Sequence, residues 1–272
     1  MKVKELPISL YKTVRLRLIP VKKLLETKKE EIPIIVSLTT IPSRVEKVHI
    51  TIRSILTQTK KPEKIVLWLP EDLKEMIPDN LTVLQGSVFE IRFSHLTCSH
   101  KKLIHSLKEF PDTTIVTCDD DFIYHKNWLS YLYNQHLIYP SAIIANQVRM
   151  IRYDDKGDLL PYHQWVYTEA FKKDNKCVLP IGANGILYPP ESLHKTVFDE
   201  SLFLQLTPKA DDLWFKAMGL LNNTESRLSE QIPPIPVPII GTQHISLKRE
   251  NIGKGKNVTQ WKALQEHFGF KI

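Results

Sequence analysis

The stretch Thr114–Tyr124 reads TIVTCDDDFIY, and it indicates the fold of this chain. Its first part, Thr114–Cys118, is a short apolar run with β-branched residues, which is typical of a buried strand. Asp119, Asp120 and Asp121 follow that strand directly. Three adjacent carboxylates repel one another unless a cation lies among them, and oxygen ligands favour Mg²⁺ or Mn²⁺. We therefore expect a metal here; the alternative is a solvated acidic turn.

Apolar runs alternate with helical patterns on both sides of that stretch. Such alternation predicts parallel strand pairing and an α/β, doubly wound sheet that binds its ligands beyond the carboxyl ends of the strands. The other predicted strands are Ile32–Leu38, Lys64–Leu69, Glu90–Ser94, one near Ser141–Ala145 and one before Gly182. The predicted helices follow a capping box at Ser43 and Glu46, cover Leu103–Phe110, begin near Ala210 and cover Val258–Phe268.

The second half of the chain has a looser order. It contains a predicted hairpin that turns at Asp154–Gly157, and Pro233–Pro238 (PPIPVP) predicts an extended segment or an edge strand. We expect a basic leader at 1–30 and one domain at 31–272. Within that domain, 31–125 is the expected nucleotide-binding half, and 126–272 the acceptor half with a C-terminal cover.

Charge is concentrated in the leader. Of a net charge of +7 in 272 residues, nine Lys or Arg against three Glu place +6 in residues 1–30, which leaves +1 for the rest. The body therefore has no general affinity for polyanions, which argues against nucleic acid as a partner. The leader predicts either peripheral contact with an anionic membrane or a solvated or locally packed helix.

Localisation follows from what the sequence lacks. It has no continuous apolar run of the length that a signal peptide or a membrane span requires. Its three cysteines, Cys98, Cys118 and Cys177, are odd in number and form no CxxC pair, which argues against a disulfide framework and a zinc site. We expect a cytoplasmic protein, peripheral on the inner face of the cell membrane if the leader binds there.

A second acidic pair, Asp211 and Asp212, begins the helix predicted near Ala210. Acidic residues in a first helical turn are favoured by the helix dipole, so helix stabilisation alone accounts for the pair. A carboxylate within hydrogen-bond reach of an acceptor hydroxyl would instead be a general base. The sequence alone leaves both interpretations open.

Several motifs resemble, in this order, a family of bacterial GT-A glycosyltransferases that build lipopolysaccharide and capsule. They are TTIPSR (39–44), KKPEKIVLWL (60–69), SHKKL (99–103), CDDDFIY (118–124), GANGILYPP (182–190) and ADDLWFKAM (210–218), and the resemblance spans roughly residues 33–270. It implies a single Rossmann-like domain with a mixed central sheet. It also implies a DxD motif in which Asp119 contacts ribose or metal, Asp121 holds the metal, and Asp120 is a nucleotide-binding neighbour.

The same resemblance assigns the second acidic pair. ADDLW is similar to the ED motif of inverting GT-A enzymes, which implies that Asp212 is the general base and that Asp211 is its catalytic neighbour. The metal would then offset the charge of the leaving nucleoside diphosphate, while Asp212 activates the acceptor on the opposite face of the sugar. Inversion would proceed by one displacement, without a covalent intermediate.

The turn after the first strand and the start of the SHKKL helix are expected to bind the donor. By resemblance, Thr39, Thr40 and Arg44 hold the nucleotide base and ribose, at a helix N-terminus that attracts anions. Lys102 is expected to contact the diphosphate, because a cation there is disfavoured by the dipole unless an anion lies near. A capped turn and a solvated lysine pair are the alternatives.

The sugar contacts are predicted in the second half. Gly182 and Gly185 allow close backbone approach, Asn184 can bind sugar hydroxyls, and Trp165 can stack on a pyranose. Trp68, Trp128 and Trp214 are expected in the core. The resemblance offers His244 as a further metal ligand, in a basic stretch with Lys248, Arg249, Lys254 and Lys256; a structural histidine is the alternative.

These observations predict a metal-dependent glycosyltransferase that uses Mn²⁺ or Mg²⁺ and a UDP-sugar donor. Its acceptor is expected to be an oligosaccharide or a lipid-linked glycan. The alternative is a non-catalytic nucleotide-sugar or polysaccharide-binding module, which would not need a second acidic pair in the same cleft. A phosphohydrolase of the haloacid dehalogenase type is disfavoured. Its DxDx motif is followed by Thr or Val, whereas Phe122 and Ile123 follow the aspartates here.

Overall fold

The computed structural model describes residues 3–25, 29–167, 176–243, 255–270 and 272. Its centre is a seven-stranded sheet in the order β10-β6-β9-β4-β1-β2-β3. The strands of this sheet are β1 (Glu31–Thr39), β2 (Lys61–Pro70), β3 (Phe89–Ser94), β4 (Thr114–Thr117), β6 (Ile143–Ala145), β9 (Ile186–Tyr188) and β10 (Ser226–Leu228).

The sheet is mixed, as predicted. Strands β3, β2, β1 and β4 pair in parallel, as do β6 and β10, whereas β9 runs antiparallel to both β4 and β6. The α/β prediction is therefore confirmed, and each predicted strand is present within a few residues of its expected position. Because β1 and β4 are parallel neighbours, their carboxyl ends meet at one edge, where Thr39 ends β1 and Asp119 follows β4.

Helices cover both faces of the sheet. They are α1 (Leu6–Arg17), α2 (Val21–Leu25), α3 (Val45–Leu56), α4 (Asp79–Thr82), α5 (Lys101–Glu109), α6 (Trp128–Ile138), α7 (Glu200–Leu206), α8 (Asp211–Leu221) and α9 (Lys256–Phe268). Alternate residues of β1 point to opposite faces: Ile35 packs in a core with α5, α8 and α9, while Ile34 and Val36 pack in a second core with α3, α4 and α6. The sheet thus separates two hydrophobic cores.

Two short antiparallel pairs lie outside the main sheet. Strand β5 (Phe122–Ile123) pairs with β11 (Val237–Pro238), which confirms that the proline-rich segment supplies a short strand. Strands β7 (Val148–Met150) and β8 (Val178–Pro180) form the other pair. The hairpin predicted at Asp154–Gly157 is reduced to one bridge, between Tyr153 and Leu159, around that turn.

The predicted capping box at Ser43 is wrong. A 3₁₀ turn, Pro42–Arg44, precedes α3, so Arg44 occupies the N-cap position and Val45 is the first helical residue. Ser43 lies one residue before the cap, where its hydroxyl does not reach the amide that a capping box requires. The helix itself is present as predicted.

The described part of the leader packs on the body. Leu16 of α1 joins a small core with Ile50, Ile123 and Ile239. The Arg53 guanidinium donates to the carbonyl oxygen of Leu16 at 3.1 Å and to that of Ile19 at 2.9 Å. In the described ranges, the structure contains no helix that combines the length and the apolar character needed to cross a membrane.

Candidate functional site

Two acidic groups and two cations meet at the carboxyl edge of the sheet. The first group follows β4, and the second opens α8. Arg44 lies at the turn from β1 to α3, Lys102 lies in the first turn of α5, and Gly182 begins a 3₁₀ turn between β8 and β9. Each element ends or begins at this edge, so residues far apart in sequence lie close together there.

Lys102 joins the two acidic groups. Its Nζ lies 3.0 Å from Oδ1 of Asp119 and 3.1 Å from Oδ2 of Asp211, and only 5% of its side chain is exposed. Burial alone would lower the pKa of Lys102, but Asp119 and Asp211 outweigh it and raise that pKa well above its usual value. Lys102 is therefore a charged ammonium that holds the DxD aspartate close to the helix α8 pair.

Asp212 is held by the backbone of the IGANG loop. The Gly182 N–H donates to both carboxylate oxygens of Asp212, at 3.2 Å and 3.1 Å. A Cβ at position 182 would lie 3.0 Å from Oδ1 of Asp212, 3.3 Å from Nζ of Lys102 and 3.8 Å from Oδ1 of Asp119. Gly182 therefore stands where the two acidic groups converge, and a side chain there would crowd both.

The two acids of the α8 pair titrate in opposite directions. Burial, followed by repulsion from Asp211, raises the pKa of Asp212 to about 8. Burial also acts to raise the pKa of Asp211, but Lys102 and His100 together with the Ser99 hydroxyl lower it below its ordinary value. The pair thus combines an Asp211 whose pKa is lowered with an Asp212 whose pKa is raised to about 8.

Arg44 neutralises the other side of the DxD motif. Its guanidinium lies 2.8 Å from Oδ1 of Asp120 and 3.2 Å from Oδ2 of Asp121, and its Nε donates to the Thr242 carbonyl at 3.0 Å. The Thr40 hydroxyl donates to the remaining oxygen of Asp120. Both oxygens of Asp120 thus have protein partners, while its nucleotide contact stays a prediction, as do those of Thr40 and Arg44.

The two carboxylate oxygens of Asp121 differ in their contacts. Gln243 donates to its Oδ2 at 2.7 Å, while its buried Oδ1 has no hydrogen-bond partner within the described ranges. Burial, then the charges of Asp120 and Asp119, raise the pKa of Asp121 to about 7. Gln243 was not predicted from the sequence, because it lies 122 residues from Asp121 and belongs to no motif.

Protein side chains supply some of the positive charge that the three adjacent aspartates were expected to need. Five carboxylates (Asp119, Asp120, Asp121, Asp211 and Asp212) share this region with two ion-paired cations, Arg44 and Lys102. Among the described residues, carboxyl groups here therefore outnumber the cations that pair with them. No group of three His, Cys, Asp or Glu in the described residues is placed to hold a metal by protein ligands alone.

Three predicted sugar contacts lie in the interior. Trp165 is fully buried and its Nε1 donates to the Leu160 carbonyl at 2.8 Å, so the prediction that its face stacks on a sugar is wrong. Gly185, with φ of 91°, faces Trp128 so closely that a Cβ would lie 2.6 Å from the indole, and this packing explains the glycine. Asn184 is buried, and its Oδ1 has no partner in the described part of the chain.

Of the other predicted residues, Thr39 donates from its hydroxyl to the Trp68 carbonyl at 2.8 Å, across the β1–β2 pair. Trp68, Trp128 and Trp214 are buried, as predicted. His244, together with Lys248, Arg249 and Lys254, lies outside the described residues.

No protein family and no curated protein matches this sequence. Among solved structures, the fold is similar to that of 4-diphosphocytidyl-2C-methyl-D-erythritol synthase from Anaerococcus prevotii DSM 20548, with 13% identity, a TM-score of 0.47, and coverage of 87% of this chain and 98% of that one. A likeness at this level carries no inference about the substrate of this chain.

Proposed function

We propose that this protein is a metal-dependent glycosyltransferase that moves a sugar from a UDP-sugar to a glycan acceptor, as surface polysaccharide synthesis requires. One observation carries the proposal: Lys102 pairs with Asp119 and with Asp211, so the DxD group and the second acidic pair line one cleft. A module that only binds a nucleotide-sugar has no need of the second pair there.

The donor set suits Mg²⁺ or Mn²⁺. Asp121 offers a buried Oδ1 without a partner in the described ranges, and Asp119 offers a carboxylate whose side chain is 36% exposed. Such ions are usually held by one or two carboxylates, with water and substrate phosphates completing the shell, so two protein ligands suffice. Bound between Asp119 and Asp121, the ion would neutralise the diphosphate of the donor.

Asp212 is the proposed general base. The acceptor oxygen attacks the anomeric carbon, the bond from that carbon to the phosphate oxygen breaks, and the nucleoside diphosphate leaves with the bonding electrons. The hydroxyl proton passes to a carboxylate oxygen of the deprotonated form of Asp212, whose position the Gly182 N–H fixes. A single displacement of this kind inverts the configuration of the sugar.

Lys102 is the proposed positioning residue for this chemistry. It is buried and already paired with two carboxylates, so a direct contact with the diphosphate would require one of those pairs to open. Its ammonium keeps Asp211 charged. It also sets the separation between Asp119 and the helix that carries Asp212.

The test is a screen of UDP-sugars and GDP-sugars with Mn²⁺ or Mg²⁺, which measures both donor binding and turnover. We expect Asp121→Ala to lose metal-dependent donor binding. Asp212→Asn should keep binding but lose about 10²-fold to 10⁴-fold in turnover, the range for a general base.

The matched control is Asp112→Asn, since Asp112 is an exposed aspartate just before β4, at the opposite end of the strand from the site. It should leave binding and turnover unchanged. If neither nucleotide class bound with either metal, the proposal would fail. Donor binding without turnover in every acceptor mixture, unaffected by Asp212→Asn, would favour the binding module.

A further inference from the structure

Helix α1 exposes most of its large apolar side chains, and of these only Leu16 is buried against the body in the described ranges. A helix that docks on a protein surface normally buries its apolar face. In α1, Ser9 is fully buried and its hydroxyl donates to the Pro238 carbonyl at 2.6 Å, whereas Leu10 is 56% exposed and Tyr11 61% exposed. Packing against the body therefore leaves the apolar side of this helix without a partner among the described residues.

All the exposed apolar residues of α1 except Ile8 form one stripe. Positions four apart lie above one another on a helix, and residue 11 lies beside residue 14 on the same side. The stripe consists of Leu6, Leu10, Tyr11, Val14 and Leu18, all of which are exposed. It runs the length of α1, about 18 Å at 1.5 Å per residue.

Basic residues accompany the stripe. Lys4, Arg15 and Arg17 are exposed on α1 or next to it, and Lys22 and Lys23 are exposed on α2. The leader carries nine Lys or Arg against three Glu, so +6 of the net charge of +7 lies there. A partner for this surface must therefore combine apolar groups with negative charge.

We propose that α1 binds an anionic lipid bilayer, lying in its surface with the stripe among the acyl chains and the basic residues at the headgroups. Helices with an apolar stripe and flanking cations insert into the interfacial region in this way, and each Lys or Arg near an anionic surface adds to the attraction. A protein partner would have to present both apolar groups and negative charge to this surface, whereas an anionic bilayer does so without a specific fit.

Contact of α1 with a bilayer would also fix the position of the acidic site. Ser9 is bonded to Pro238 of β11, and β11 pairs with β5, the strand directly after Asp121. Docking of α1 would thus hold the acidic cleft near the bilayer. That consequence rests on the proposed function, in which it favours a lipid-linked acceptor, but the lipid binding itself does not.

The test is flotation of the purified full chain with vesicles of phosphatidylcholine alone or mixed with phosphatidylglycerol. We expect binding only to the mixed vesicles, and weaker binding as salt increases. Replacing Leu10, Val14 and Leu18 together by Gln should lower the affinity at least tenfold. Replacing Arg15 and Arg17 by Gln should also lower it by about tenfold or more, at about 1 kcal/mol per cation.

Two control variants distinguish binding through this surface from nonspecific binding to vesicles. Leu137 and Ile138 end α6 and are each 61% exposed, so their joint replacement by Gln removes exposed apolar side chains elsewhere; Lys262→Gln removes an exposed cation of α9. Both should bind like the wild type. Circular dichroism should show that all variants fold.

The proposal is overturned if the wild type ignores phosphatidylglycerol vesicles, or if the triple Gln variant binds them equally well. It is also overturned if the stripe mediates a dimer instead. In that case the wild type is a dimer in solution, the triple variant is a monomer, and neither protein binds vesicles. Donor turnover is measured in parallel without lipid, so a failure of lipid binding leaves the proposed function standing.

Discussion

Single residues in this protein act through what surrounds them, and the SHKKL segment shows this most clearly. Lys101 and Lys102 are adjacent and both buried, yet Lys101 donates to the Leu96 carbonyl at 3.0 Å while Lys102 pairs with two carboxylates. Burial lowers the pKa of Lys101 to about 8. The same burial leaves Lys102 charged because its partners are anions.

His100 should make the stability of the fold depend on pH. Its ring is fully buried and stacks on Phe203 at 4.5 Å. Burial lowers the pKa of His100 to about 4, although Asp211 opposes the shift; Lys102 adds to it. The unfolded chain therefore binds a proton near pH 6.5 that the folded chain accepts only near 4, so stability falls as pH drops through that window, by roughly 3 kcal/mol.

His100→Phe tests this, since a phenylalanine retains the stacking and cannot titrate. Denaturant unfolding at several pH values should show a wild-type free energy of unfolding that falls between pH 6.5 and 4 by roughly 3 kcal/mol more than that of the variant. Parallel pH profiles for the two proteins would contradict the assignment. The comparison is between profiles, so a constant offset from the substitution does not affect it.

Which residues of the site are visible in the sequence depends on whether a motif carries them. The two acidic groups stand out because each is a run of adjacent carboxylates within a recognisable motif, and the first of them directly follows a buried strand. Gln243 and the pairing of Lys102 with Asp119 arise only when distant segments meet, and no local pattern encodes them. Trp165 was misassigned because an aromatic side chain in sequence looks the same whether it faces a ligand or a core.

At the scale of elements, the turn from β8 to β9 combines two glycines with different tasks. Gly182 leaves room for the carboxylates of the site, while Gly185 leaves room for Trp128, whose Nε1 donates to the Asn184 carbonyl at 2.8 Å. Gly182, Asn184 and Gly185 of this turn were all predicted to contact sugar. Its second glycine instead fixes the turn against α6, a packing relation that spacing within the motif does not reveal.

Gly185→Ala should therefore destabilise the fold strongly. The residue has φ of 91°, and an added Cβ would meet the Trp128 indole at 2.6 Å. Strain and overpacking together should lower the free energy of unfolding by about 3 kcal/mol or more. Thermal and denaturant unfolding measure it.

Gly157→Ala is the matched control. Gly157 also has a positive φ, 83°, but a Cβ there would meet nothing within 4 Å among the described residues. It should therefore lose only the conformational term, about 1 kcal/mol. If both substitutions lowered the free energy of unfolding equally, backbone strain and not contact with Trp128 would explain the glycine at position 185.

Over the whole molecule, the sheet order brings together segments that the chain keeps apart. Alternation of apolar runs and helical patterns was enough to predict an α/β sheet, because period and spacing are local properties. Strand β9 was not among the predicted strands, and its antiparallel direction depends on the path of the intervening loops. Its place between β4 and β6 is what brings Gly182 up to the DxD group.

The carboxyl groups that meet beside Gly182 should lower the stability of the metal-free protein at high pH. The pKa of Asp121 is raised to about 7 despite Arg44, so the folded chain holds a proton there that the unfolded chain releases near pH 4, and stability falls as pH rises between the two. At pH 8 without metal, Asp121→Asn removes this repulsion and should unfold at a higher temperature than the wild type.

Mn²⁺ should reverse that order, because the ion would stabilise the folded wild type through the carboxylate that the variant lacks. The measurement is thermal unfolding at pH 8 of the wild type, Asp121→Asn and the control Asp112→Asn, each in EDTA and in excess Mn²⁺. The control should follow the wild type in both. An equal Mn²⁺ effect on the wild type and Asp121→Asn would exclude Asp121 as a ligand, whereas a reversal would identify the repulsion as the cost of keeping a metal site in the folded protein.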